Sequence, residues 1–84
     1  MMSYTVAMPR YFFDVTNDGE ASRDRKGGEF PSLEAARQEA LHSLGEIAKL
    51  KFGDGDRRDL SIEIRDGEQS FLRVSLSLRV EKLA

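Results

Sequence analysis

With 84 residues, the chain holds one domain and has no room for a second core, which excludes an active cleft between two domains. Hydrophobic residues make up 39% and charged residues 33%, too apolar and too well mixed for a disordered chain and too polar for a membrane protein. No cysteine is present, so disulfides, thiolate metal sites and cysteine nucleophiles are excluded; a reducing compartment is permitted, and the cytoplasm is the expected location.

The formal charge of −2 arises from 15 acids and 13 bases interleaved along the chain, without the basic segment that marks many nucleic-acid binders. The opening Met1 to Ala7 lacks the basic start and long apolar run of a secretory signal. No stretch approaches the roughly 20 apolar residues that span a bilayer, so no membrane association is expected.

In chain order, Arg10 to Val15 reads as a strand with Tyr11, Phe13 and Val15 on one face and Arg10, Phe12 and Asp14 on the other. Asn17-Asp18-Gly19 turns the chain, and a short second strand is expected within Glu20 to Asp24. Lys26-Gly27-Gly28 is irregular and reads as a loop that needs positive φ. It lacks the spacing of a phosphate-binding loop, and the helix starts only after Phe30 and Pro31.

The spacing of Leu33, Ala36, Ala40, Leu44 and Ile47, widened by Leu41 and Ala48, predicts an amphipathic helix over residues 33 to 51. Ser32 is the expected N-cap. Glu34 complements the positive end of the helix dipole, Lys49 and Lys51 the negative end, and Gly53 is the expected left-handed residue after the C-terminus. Residues 53 to 59 read as a polar loop. Leu60 to Arg65 and Phe71 to Glu81 then alternate apolar and polar residues about Asp66-Gly67, the pattern of a hairpin with a loop of four to six residues. The predicted architecture is an α+β domain in the order β-β-α-β-β, one amphipathic helix on a mostly antiparallel four-stranded sheet, spanning residues 8 to 83. So small a core makes oligomerisation a natural source of added stability, and a homodimer is expected.

No catalytic, cofactor or metal set emerges. His42, the single histidine, falls on the polar side of the helix among Arg37, Gln38 and Glu46. Asp54, Asp56 and Asp59 resemble a calcium loop only in composition: counted from Asp54, the positions that need an oxygen ligand, a glycine and a closing glutamate hold Arg58, Asp59 and Arg65. Asp14 and Asp24 are candidate carboxylates for an enzyme, but sequence alone argues no paired geometry for them.

The uncovered sheet face carries more signal. Phe12, Arg65, Phe71, Arg73, Ser75, Ser77 and Arg79 all fall opposite the helix by alternation, mixing the aromatic and arginine residues enriched at protein interfaces. The same mixture can bind single-stranded nucleic acid, although the ribonucleoprotein aromatic consensus is missing. The plainer alternative is a solvated face with Phe12 or Phe71 tucked under a loop.

The stretch Met8-Pro9-Arg10-Tyr11-Phe12-Phe13-Asp14-Val15, the segment Phe30-Pro31-Ser32-Leu33-Glu34-Ala35-Ala36-Arg37-Gln38-Glu39-Ala40 and the strand from Leu72 to Val80 together resemble a family of small bacterial proteins of unknown function. The likeness covers about residues 8 to 82 and brings no activity or ligand. It implies that the domain begins at Met8-Pro9 and that Met1 to Ala7 form a disordered extension. More distantly, the strand-turn-strand and Pro-led helix are similar to the HicB-type antitoxin domain, without the DNA-binding segment that usually follows it. That likeness implies a partner-binding domain. The function expected from the sequence is therefore a non-enzymatic protein-binding or dimerisation module that meets its partner through the outer sheet face or an exposed edge of the long Phe71 to Glu81 strand, with nucleic-acid binding or antitoxin-like regulation as the alternative.

Overall fold

Helix α1 runs over Leu33–Lys51 in the computed structural model of the chain, with the ends that its sequence predicts. The structure describes residues 8–53 and 55–84; the expected extension at residues 1 to 7 and the first acid of the polar loop, Asp54, lie outside them. Ser32 is extended and its hydroxyl accepts the Ala35 amide, satisfying one of the donors that a helix start leaves free. At the other end Phe52, in a right-handed conformation, donates its amide to Ala48 O at 2.9 Å. The stop therefore does not use Gly53 in the left-handed region, whose φ is not positive. No described helix is long and apolar enough to cross a membrane.

Five strands accompany the helix: β1 (Arg10–Asn17), β2 (Glu20–Ser22), β3 (Gly28–Glu29), β4 (Arg57–Arg65) and β5 (Ser70–Arg79). Every pairing is antiparallel, and the main sheet runs β2-β1-β4-β5. The sheet has five strands rather than the expected four, because two short strands share one edge of β1. Strand β2 pairs with Val15 to Asn17, and β3 pairs with Arg10 and Tyr11. A two-residue strand is too short to show an alternation, which is why residues 28 and 29 read as loop. The β1–β2 turn has Asp18 and Gly19 both at positive φ, a two-residue turn whose twist suits the strands it joins.

The helix packs on β4 and β5. Ala36 and Ala40 are fully buried, so their small side chains let the helix backbone approach Leu60, Ile62 and Ile64, which are also sealed from solvent. Phe30, just before the helix, packs edge-on against Phe13 at 5.5 Å between ring centroids and at a tilt against Tyr11, closing the core at the helix start. Strand β4 begins at Arg57, three residues earlier than its apolar alternation suggests. Arg58 and Asp59 extend its pairing to Leu78 and Ser77. Polar residues at a strand end look like loop until a partner strand takes up their backbone groups.

Candidate binding surface

The face of the sheet opposite the helix is built from alternating residues of β1, β4 and β5, and their register sets two carboxylates side by side with an arginine next to one of them. Asp14 lies across from Glu63, and Glu63 across from Arg73. Arg73 donates to Glu63 at 2.6 Å and the Ser70 hydroxyl to the other oxygen of the same carboxylate at 2.8 Å. Hydrogen bonds from Ser70 and then Arg73 hold the Glu63 carboxyl below its ordinary range. Ser77 donates to Asp59 at 2.8 Å, Ser75 is exposed opposite Ser61, and Arg79 is exposed opposite Arg57.

Among the described residues Arg65 is the buried charge. Its Nε donates to Asp14 at 2.6 Å, Nη2 to the other Asp14 oxygen at 3.3 Å and to Asp24 O at 2.8 Å, and Nη1 to Asp66 O at 3.2 Å. Its guanidinium carbon stands 4.7 Å from the centroid of Phe12, the residue paired with it across β1 and β4. Hydrogen bonding to Asp14 raises the pKa of Arg65 further. Phe12 is half-buried, with the segment before β3 over its ring: a Cβ on Gly27 would come within 2.9 Å of that ring and 2.8 Å of Tyr11 O. Gly27 has φ +70, as the sequence reading of Lys26-Gly27-Gly28 requires.

Asp24 explains how β2 and β3 share one edge of β1. Between them the Phe13 amide has no strand partner, and Asp24 Oδ2 accepts it at 3.1 Å while Oδ1 accepts the amides of Lys26 and Gly27. The Asp24 amide in turn donates to Asp14 at 2.8 Å. Burial pushes both carboxyls up, but the Arg65 fork and the Asp24 amide on Asp14 outweigh it, and three backbone amides outweigh it on Asp24. Both net pKa values lie below the ordinary 3.8. These two acids are ionised anchors rather than a proton-sharing pair.

Phe71 does not join the outer face. A β-bulge at Arg65 pairs that residue with Ser70 after Ile64 has paired with Leu72, so Phe71 is an extra residue in β5. Ser70 and Arg73 both reach Glu63, and the Phe71 ring packs edge-on against the core residue Tyr11 at 6.1 Å. Of the seven residues that alternation assigns to one surface, Phe12 and Arg65 are thus partly or wholly covered, Phe71 leans on Tyr11 while staying 38% exposed, and Arg73, Ser75, Ser77 and Arg79 lie in β5 on the exposed side.

Two hollows accompany this surface. One, of about 570 Å³, is an open groove on the outer face lined by Asp14, Thr16, Arg23, Ser61, Glu63 and Arg73. The other, of about 300 Å³, lies between the helix and β1, where Glu39 and Ser43 face Phe13, Val15 and Phe30. His42 is exposed on the helix.

The long regular strand whose edge the sequence offers as a second meeting surface lies at the end of the sheet. Strand β5 has no neighbour on its far side among the described residues. The Val80 amide donates to Asp56 O at 2.7 Å, which sets the alternation: even residues of β5 turn their backbone groups to β4, and Arg73, Ser75, Ser77 and Arg79 turn theirs outward. On the helix side of this edge, Leu76 is 39% and Val80 55% exposed. The helix flank above it carries Leu41, 40% exposed, because Glu39 and Ser43 occupy the opposite flank toward β1.

Fold and surface define a small α+β domain whose outer-face charges are largely paired with one another and whose last strand is open. The chain belongs to the family described as a domain of unknown function (DUF6894), whose model matches residues 10–77. No curated protein and no solved structure matches the chain.

Proposed function

We propose that this domain is a non-enzymatic protein-binding module and that the free edge of β5 is its binding element. The observation that carries the reading is the ten-residue open strand with outward backbone groups at Arg73, Ser75, Ser77 and Arg79 and exposed Leu76 and Val80 alongside. Native sheets blunt such an edge with proline, a bulge, a covering loop or charged side chains; among the described residues the stretch after Leu72 has only the last, Arg73 and Arg79, and both stand on the outer face, leaving the helix side of the edge apolar. An added strand gains main-chain hydrogen bonds from the edge and specificity from its side chains.

The outer face supports binding less well than the edge, because Arg65 and Arg73 are already engaged by Asp14 and Glu63. The same engagement weighs against the alternative of a nucleic-acid-binding or antitoxin-like regulator, which draws on Arg65, Arg73 and Arg79. Ser75→Pro tests the edge directly. It removes an outward amide and leaves the hydrogen bonds to β4 in place. Loss of association in this variant, with an unchanged circular dichroism spectrum, is the expected result; association equal to that of the parent protein would overturn the reading.

A further inference from the structure

We infer that the occupant of the β5 edge is a second copy of this chain, paired antiparallel with its β5 about a two-fold axis through Ser77. The inference rests on the reading of β5 as the binding edge and names its partner.

Backbone geometry comes first. A symmetric antiparallel pair joins residues whose numbers have a constant sum, and an even sum is required to place apolar residues opposite apolar ones. An even sum also joins outward-facing residues to outward-facing residues, so the hydrogen bonds of Arg73, Ser75, Ser77 and Arg79 are satisfied by the same alignment. The strand is self-complementary in this respect before any side chain is considered.

Strand length and charge then select the alignment: an axis through Leu78 leaves only residues 77–79 of each β5 facing the other. An axis through Leu76 sets Arg73 directly opposite Arg79 of the second copy, twice, with like charges at cross-strand distance. An axis through Ser75 uses Phe71, the bulged residue whose ring is committed to Tyr11. An axis through Ser77 sets Arg79 opposite Ser75 and, two residues past the end of β5, Glu81 opposite Arg73 of the second copy. On the helix side it sets Val74 against Val80 and Leu76 against Leu78, covering the two most exposed apolar residues of the edge.

A two-fold axis perpendicular to the sheet keeps both helices on the same side of a continuous sheet. The exposed Leu41 of each copy then overhangs a trough floored by Leu76, Leu78 and Val80 of both. Exposed apolar surface on the helix flank and on the strand edge is thereby covered in one contact, which an extended peptide lying on the edge does not achieve.

The chain has no cysteine, so single cysteines report the alignment cleanly. Two Ser77→Cys chains bring their Cα atoms to about 5.5 Å in a hydrogen-bonded pair, within disulfide range. Ser75→Cys chains are several residues out of register and do not meet. The expected results are a dimer by sedimentation equilibrium in the micromolar range, rapid oxidation of Ser77→Cys to a covalent dimer with Ser75→Cys lagging, and a monomer for Leu76→Lys with an unchanged circular dichroism spectrum. A strict monomer across that range overturns the second copy. If Ser75→Pro then abolishes capture of another protein, the edge reading survives without it; if Ser75→Pro changes nothing, both fail. Equal cross-linking at Ser75 and Ser77, or a dimer indifferent to Leu76→Lys, overturns the alignment. Should Leu76→Lys fail to fold, the cysteine pair decides alone.

Discussion

Arg65 and Asp14, 51 positions apart in the chain, meet side-on on the outer face of the sheet, with their side chains only 8% and 19% exposed. Two N–H groups of one guanidinium face two oxygens of one carboxylate, the geometry that arginine supports and lysine does not. Removing one member leaves the other desolvated and unpaired. Arg65→Ala is therefore expected to lower the thermal midpoint well beyond the effect of Arg37→Ala, which removes an exposed pair with Glu34 on the helix. Arg65→Lys is expected to recover little of the loss. Thermal unfolding followed by circular dichroism compares the three, and a midpoint for Arg65→Ala equal to that of Arg37→Ala would remove the network from the stability of the fold.

Asp24 accepts from amides on both of its oxygens, so an isosteric side-chain amide cannot replace it. In Asp24→Asn, whichever way the new carboxamide turns, its NH₂ confronts either the Phe13 amide or those of Lys26 and Gly27. The substitution is expected to cost about 1–3 kcal/mol. Urea unfolding measures this, with the slope against denaturant as a check that the transition is otherwise unchanged.

The pH dependence follows from the same two acids, joined by Glu63 and Asp66, which hydrogen bonds also hold below their ordinary values. Asp14 and Asp24 titrate below their ordinary 3.8 when folded, so the folded state binds fewer protons than the unfolded state as pH falls into that range. Their contribution is fully present above the ordinary carboxylate value and is lost as pH drops through the lowered ones. Urea midpoints are expected to be steady between about pH 5 and 7 and to fall below about pH 4. The fall should be shallower in Asp24→Asn, and a parallel fall in that variant would contradict the assignment.

Two glycines give opposite signs on substitution. Gly27→Ala forces a Cβ to within 2.8 Å of Tyr11 O at a φ of +70 and is expected to destabilise by more than about 1 kcal/mol. Gly45, in the exposed middle of the helix, has nothing within 4 Å of a built Cβ, and Gly45→Ala is expected to stabilise by roughly 0.5–1 kcal/mol. Chemical denaturation of both variants beside the parent chain tests the pair.

Periodicity is a local property, and what depended on it was readable. The spacing of Leu33, Ala36, Ala40 and Leu44 located the helix and its buried face. The alternation of Leu60, Ile62 and Ile64 with Ser61 and Glu63 separated core from outer face. Ser32 and the Asp18-Gly19 turn were readable for the same reason, since each acts on backbone groups within a few residues. Phe71 broke the alternation because a bulge depends on the partner strand, and β3 went unseen because two residues carry no period.

Register and strand order are not local, and they made the candidate surface what it is. Asp14, Arg65 and Phe12 were assignable to one face from sequence, but their contact needed β1 to lie beside β4 in one of several alignments. Asp24 became an anchor only where β2 and β3 left the Phe13 amide without a strand partner. The amphipathic last strand was plain in the sequence; tertiary structure alone decided that it ends the sheet, because which strand is left without a neighbour depends on how all the others pair.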